Sequence, residues 1–368
     1  MKAGWYQIIL LRLLWLSWKD IKNPASGGAE VFTHEVARRL IVMGYEVDLF
    51  TSRFRHSLPS EDIDGVNLTR DGGKYTVYTR AREYYRKNKS RYDVVIDEIN
   101  TKPFLTPLFV KEKPILAMFH QLAREFWFYE TFFPISYLGY YYFEKQWLSH
   151  YKNIPTATIS NSSRSDLKAM GFKKIFVIPQ GLSAIPLATT VKKGSRPTLV
   201  FLGRLKKAKL PHHAIEAYSL IKESIPDAKM WIIGSGQMLD DLQKYKVEDI
   251  EFCGHVTNQQ KYDLLSKAHL ILVPAVREGW SLAVTEANAM GTPAIGYNVR
   301  GLRDSIVDGE TGILVKENSP YGLARCAKSL LKDSLRLCKI SSNALAFSKR
   351  FSWDKTSKEF DKVLKTII

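Results

Sequence analysis

Cysteine is scarce in this chain. Its three, Cys253, Cys326 and Cys338, are odd in number, lack CxxC spacing and all lie in the C-terminal half, which argues against a disulfide framework or a zinc site and fits a reducing cytoplasm. Long apolar runs are missing too. The best candidate, Ile8 to Trp15, is too short for a bilayer and carries Arg12, so it reads as a first buried strand, and a soluble or peripheral protein is expected. No GxGxxG fingerprint occurs, which disfavours hydride chemistry. No internal repeat or low-complexity tract interrupts the 368 residues, whose 45% hydrophobic content can furnish the cores of two domains.

Acidic residues are also in deficit: 37 Asp and Glu against 54 Lys and Arg leave a net charge of +17. The excess divides about evenly between the two halves, and no RRM or zinc-finger signature accompanies it, so no nucleic-acid partner is expected. Locally, Lys74 to Arg91 gathers seven basic residues, one acid and four tyrosines. That segment is either a solvated helix face or a contact for an anionic partner, most naturally a membrane surface.

Apolar runs of four to seven residues alternate with helix-period segments in both halves, the pattern of parallel sheets covered by helices. Strands are expected at Arg12 to Ser17, Glu46 to Thr51, Val94 to Asp97, Ile115 to Phe119, Ala157 to Ser160 and Ile175 to Ile178. A second set is expected at Thr198 to Leu202, Met230 to Ile233, Ile250 to Cys253, Leu270 to Val273 and Ala294 to Tyr297, with Pro211 placed to open the helix after the first. Gly181 to Pro197, aperiodic and rich in Ser, Thr, Pro, Gly and Lys, reads as a linker. Domains at 1–182 and 183–351 follow, each Rossmann-like. Ligands of such sheets sit at the C-terminal ends of the strands, so two facing domains would share one cleft.

The densest signal is Val276 to Asp304, where Glu278 and Glu286 stand eight residues apart across a loop-to-helix junction. Were both helical, about 12 Å would separate them, the scale of a nucleoside diphosphate and not of a shared proton. Between them, free N–H groups around Ser281 and Leu282 open a helix, a ready phosphate site. On spacing alone, a plain strand, turn and helix with two surface glutamates reads equally well. Gly203 to Lys209 (GRLKKAK) ends a strand with Arg204 and, five residues on, Lys209. Alone this run reads as a basic surface loop; fixed cations at a strand end could equally stabilise a departing diphosphate where no metal does so, Arg as a fork and Lys as a point charge. Gly27 and Gly28, between a strand and a helix, either form a plain loop and helix start or let backbone approach a phosphate or sugar. His120 closes the strand ILAMF at the cleft edge, as a structural residue or as part of the site.

Together these motifs resemble the E-x7-E family-four retaining glycosyltransferases, the glycogen-synthase-like enzymes of GT-B fold. SGGAE at Ser26 to Glu30, the strand ending in His120, IPQG at Ile178 to Gly181, GRLKKAK, GSG at Gly234 to Gly236 and RFSW at Arg350 to Trp353 occur in the family's order over most of the chain. The resemblance implies that Arg204 and Lys209 contact the diphosphate, Glu278 the donor-sugar hydroxyls and Glu286 the ribose, with His120 against the donor sugar. The loops at Gly234 to Gly236 and Gly254 to Val256 would shape the nucleobase pocket, and the tail 352–368 would cross back onto the first domain. It further implies hexose transfer from a nucleotide diphosphate sugar, itself the co-substrate, with no other cofactor and no metal, to a glycan or lipid-linked acceptor.

Two departures stand out. Ser281 replaces a frequent glycine, either altering the loop's approach to phosphate or capping the helix, and Pro179-Gln180-Gly181-Leu182-Ser183 replaces Pro-Asn-Gly-Val-Asp at the domain junction. The D-x-D form of Asp62-Ile63-Asp64, a metal motif in the other major glycosyltransferase fold, falls in an acidic turn leading into a strand, far from the diphosphate residues, and is not expected to bind metal. Phe126 to Trp147 holds twelve aromatics in twenty-two residues, too many for one helix face. It either fills the first domain's core and shapes an acceptor pocket, or projects with the basic segment as a peripheral contact at the inner face of a membrane. Rival readings are a GT-B epimerase or phosphorylase, and a non-catalytic sugar-nucleotide-binding protein.

Overall fold

A computed structural model describes residues 11–368; positions 8–10 of the first apolar run lie outside the described residues. The first sheet contains β1 (Arg12–Leu16), β2 (Glu46–Thr51), β3 (Ser60–Ile63), β4 (Val66–Arg70), β5 (Val94–Ile99), β6 (Ile115–Phe119), β7 (Thr156–Thr158) and β8 (Ile175–Val177). Their spatial order is β3-β4-β2-β1-β5-β6-β7-β8, and every pair is parallel except β3 with β4. The second sheet contains β9 (Thr198–Leu202), β10 (Lys229–Ile233), β11 (Ile250–Gly254), β12 (Leu270–Val273), β13 (Ala294–Gly296) and β14 (Gly312–Leu314), wholly parallel in the order β11-β10-β9-β12-β13-β14. Strands such as Leu270–Val273 are buried along their whole length, as continuous apolar runs between two helical layers must be.

No helix or strand is formed between β8 and β9, and the chain returns to the first sheet at its end. Helix Trp353–Ile367, capped by the Ser352 side chain, stacks Phe360 on Trp15 at 5.1 Å and is bonded at Tyr45–Asp361 (2.6 Å) and Arg39–Asp354 (2.6 Å). The unusual junction residues are used here. Gln180 Nε2 donates to the Gly28 carbonyl (3.1 Å), and Ser183 Oγ accepts from Trp353 Nε1 (2.8 Å).

Three features differ from expectation or were left open by it. Ser60–Ile63 is a strand rather than part of an acidic turn, because Asp64 and Gly65 both take positive φ (54° and 84°) and make the two-residue hairpin turn that Asp-Gly favours. Asp62 there accepts from the Gly65 N–H (3.0 Å) and Asp64 pairs with His34 (2.8 Å), at the outer edge of the sheet. The short strand β14 was not foreseen. The aromatic run breaks into helical pieces, among them Phe126–Glu130 and Glu144–Ser149, and most of it does not enter a core: Trp127 is buried, but Phe132, Phe133, Tyr137, Tyr141 and Tyr142 are exposed.

Candidate functional site

The loops leaving β9, β10 and β11 are stitched together at their strands' C-terminal ends. Gly203 N–H donates to Ile233 O (3.0 Å), Leu205 N–H to Ser235 O (2.9 Å) and Gly234 N–H to Gly254 O (2.8 Å). Gly234, at φ 134°, lies so close to the Gly203 carbonyl that a β-carbon would stand 2.0 Å from it, which no side chain can do. Gly234 therefore supports the Arg204 loop directly.

Two such loops meet at a lysine–carboxylate pair. Lys209, in the turn before helix Pro211–Lys222, is ion-paired with Glu278, and Glu278 is 9% exposed. The next residue, Gly279, packs against the first domain: a β-carbon there would be 2.3 Å from the His120 carbonyl oxygen. The imidazole of His120 is buried, with Nε2 3.1 Å from Glu98 Oε1. Glu98 also accepts from Trp15 Nε1 (2.9 Å) and Thr33 Oγ1 (2.6 Å). This arrangement fixes the Nε2–H tautomer and leaves Nδ1, which has no partner among the described residues, as an acceptor.

Across the cleft, Arg204 Nη1 approaches Ala25 O at 3.4 Å and its guanidinium lies over Gly27, while Gly28 faces the Leu282 side chain. Helix Gly28–Val42 (α1) begins here, and Glu30 Oε2 accepts from the Gly27 N–H (2.6 Å), the returning half of a capping interaction. Lys19, buried beside it, donates to Ala25 O (2.5 Å) and pairs with Glu30 (3.1 Å). Burial pushes the Lys19 ammonium down, Glu30 opposes this, and Arg204 and Lys206 add to it.

Helix Leu282–Ala289 starts at Ser281, whose φ of 84° and ψ of 87° lie where glycine is at ease, and its side chain makes no capping bond. Of the two readings for this serine, capping is excluded. Among the described residues no acceptor meets the N–H of Leu282 or Ala283, the donors that make a helix start attractive to phosphate. Relieving the backbone should be measurable: Ser281→Gly is expected to raise unfolding stability by about 1 kcal/mol, read as a shifted urea midpoint with an unchanged slope. One turn on, Glu286 is buried against Lys261 Nζ at 2.6 Å; burial pushes its carboxyl up and Lys261 pulls it back.

The structure thus gathers Gly27, Gly28, His120, Arg204, Lys209, Glu278, Ser281 and Leu282 where the two sheets' loops face each other, with Glu286 behind the helix start and Gly234 beneath the Arg204 loop. Sequence reasoning missed Lys19, Glu98, Lys261 and Arg277. Glu98 alone carried a local signal, as one of two adjacent carboxylates, with Asp97, among the apolar residues of the VVIDEI strand. Lys261 and Arg277 find their carboxylates 25 to 152 residues away.

Two Rossmann-like domains whose strand ends face one cleft define the GT-B class of fold. The Glycosyltransferase Family 4 model matches residues 26–184 and the Glycosyl transferases group 1 model matches residues 188–347. The chain belongs to the family-four, glycogen-synthase-like glycosyltransferases. It is 29% identical over 180 residues to glycogen synthase of Mycobacterium tuberculosis, a match covering 47% of this chain and 44% of that protein. It is 26% identical to the D-inositol 3-phosphate glycosyltransferase of Thermobispora bispora, over 90% of this chain and 88% of that one. The chain spans about half the length of the curated relatives it first matches. Among solved structures, sucrose-phosphate synthase from Thermosynechococcus elongatus superposes with a TM-score of 0.79 at 17% identity, covering 97% of this chain and 98% of that one. Anabaena HepE in complex with UDP-glucose gives 0.73 at 14%, covering 97% and 100%.

Proposed function

We propose that the protein transfers a hexose from a nucleotide diphosphate sugar to an acceptor hydroxyl with retention of configuration and without a metal. The observation that carries this reading is the convergence of Arg204, Lys209 and the open N–H groups of Leu282 and Ala283 on one cleft, opposite the acceptor-side loop at Gly27 and Gly28. In the reaction the bond from the anomeric carbon to the β-phosphate oxygen breaks and the acceptor oxygen bonds to that carbon from the same face. The departing phosphate takes the acceptor's proton, so no protein base is needed. Arg204, Lys209 and the helix start stabilise the charge that develops on the diphosphate. Lys209 and Glu278 are each other's counter-ions; a bound donor places phosphate on the lysine and sugar hydroxyls on the carboxylate. His120 Nδ1, held as an acceptor by Glu98, receives a donor-sugar hydroxyl.

A thermal-shift panel of UDP-, GDP- and ADP-sugars tests the reading, beginning with UDP-glucose, the ligand of the Anabaena structure. A productive donor at a hundred times its Kd stabilises by about 2.7 kcal/mol; failure of every member to raise the melting temperature sinks the proposal. Release of free nucleotide diphosphate with acceptor present then separates transfer from epimerisation.

Glu286→Ala is expected to weaken binding of the bare nucleotide, whereas Glu278→Ala should weaken the sugar nucleotide more than the bare diphosphate. Isothermal titration of both ligands against both variants decides this, and equal losses throughout would show the roles to be misassigned. Turnover should persist in EDTA, because Arg204 and Lys209 occupy the place of a metal; loss on chelation with recovery on adding Mg²⁺ or Mn²⁺ contradicts it.

The acceptor reading extends to a lipid-linked glycan presented at an anionic bilayer. Among the described residues no helix is long and apolar enough to cross a membrane, so the contact would be peripheral. Helix Val77–Asn88 (α2) and its flanks leave all seven basic residues of Lys74 to Arg91 exposed. Lys102 bridges this helix to the aromatic segment, lying 4.5 Å from the Tyr78 ring and 5.9 Å from that of Trp147.

A further inference from the structure

Arg277 precedes the donor-site carboxylate Glu278, belongs to the second domain, and is 4% exposed. Both of its partners belong to the first. Its Nε donates to Glu125 Oε2 (2.8 Å) and its Nη1 to Asp166 Oδ2 (2.7 Å), and Asp166 is also paired with Arg300. Glu125 immediately precedes helix Phe126–Glu130 (α3), the opening piece of the aromatic segment, and Lys206 of the Arg204 loop reaches Glu130 at the other end of that helix (3.5 Å). The segment itself is pinned from behind: buried Glu144 accepts from the Ala123 N–H (2.8 Å) and the Arg124 N–H (3.0 Å). Both donor-site loops of the second domain therefore hold the same short acceptor-side helix.

We infer that Arg277 is a positioning residue that ties the Glu278 loop to α3, so that the donor carboxylate is in place only while the acceptor-side aromatic segment is seated. This rests on the donor reading above for its catalytic meaning, but the tie itself is a matter of two ion pairs across the cleft. An arginine buried among first-domain carboxylates keeps this geometry only if the domains stay closed, since opening them would leave the buried guanidinium without both of its carboxylates. Among the described residues Glu125 itself is bonded to the second domain through Arg277 alone, while Glu130 of α3 reaches Lys206 separately, so the double variant is what assigns an effect of Glu125 to the Arg277 tie.

The test is hydrogen–deuterium exchange on the whole chain, comparing wild type with Arg277→Gln, Glu125→Gln and their double variant. The half-exposed Glu125 makes its variant the safer to fold. We expect residues 274–282 of the second domain to exchange roughly tenfold faster when the first-domain residue Glu125 is changed, with the double variant no faster than Arg277→Gln alone. The β9 to β13 core should be unaffected. With the donor found by the thermal-shift panel, the same variants should raise the KM for the sugar nucleotide while leaving binding of the bare nucleoside diphosphate, held at Glu286, unchanged. Unaltered exchange at 274–282 in Glu125→Gln, or additive effects in the double variant, overturns the inference. Faster exchange as expected, with no nucleotide sugar stabilising the wild type, upholds the tie and overturns the donor reading instead.

Discussion

Arg204→Ala and Lys209→Ala are each expected to lower turnover by roughly 10²- to 10³-fold at saturating donor, the loss seen when one preorganised donor to a developing negative charge is removed. The structure makes the two losses different in kind. Arg204 reaches across the cleft over Gly27, so its planar fork is positioned by both domains, and Arg204→Lys should restore little because a point charge does not reproduce two parallel bonds. Lys209 is held by Glu278, and its removal also leaves a nearly buried carboxylate without a counter-ion. Lys209→Ala should therefore impair sugar-nucleotide binding as well as turnover, while Arg204→Ala should act mainly on turnover. Single-turnover kinetics with excess enzyme separates these, and near-wild-type rates in both variants would falsify the assignment.

Much of the candidate site's placement was legible because its parts are local. A strand of four apolar residues, a loop with Glu278 and a helix with Glu286 follow one another within seventeen positions, and period and turn chemistry alone place them. The Asp64-Gly65 hairpin is equally local: the Asp-Gly pair takes positive φ at both residues and joins two antiparallel strands. Ser281 was not legible, since serine before a helix ordinarily caps it, and only the backbone shows it holding a conformation that suits glycine. Arg277 and Lys261 were beyond reach for another reason. A basic residue in a loop or on a helix face looks solvated until the fold brings a distant carboxylate to it, and for Arg277 that happens only when two domains close.

The aromatic segment shows how burial, more than composition, decides a reading. Phe132 is 71% exposed and Phe133 76%; the Phe133 ring lies 5.8 Å from that of Tyr137, itself 6.2 Å from Tyr141, and at the far end of the segment Trp147 meets Lys102, which also touches Tyr78 of the basic α2 helix. Exposed apolar area of this kind beside excess positive charge complements an anionic bilayer, where rings enter the headgroup boundary and lysine and arginine meet lipid charge. The purified chain is expected to sediment with anionic vesicles and much less with neutral ones. Replacing Phe132 and Phe133 together by Ser should remove about 3 kcal/mol of apolar transfer, a loss of roughly 10²-fold in partitioning. Arg82→Glu with Arg86→Glu should weaken binding by about 1 kcal/mol or more per position, an effect that fades as salt screens the surface, whereas the phenylalanine effect should persist. Arg82 and Arg86 stand on α2 of the first domain, so donor binding in solution should be intact in the arginine variant. If the wild-type chain stays in the supernatant with anionic vesicles at low salt, the peripheral contact is refuted and a soluble acceptor is favoured.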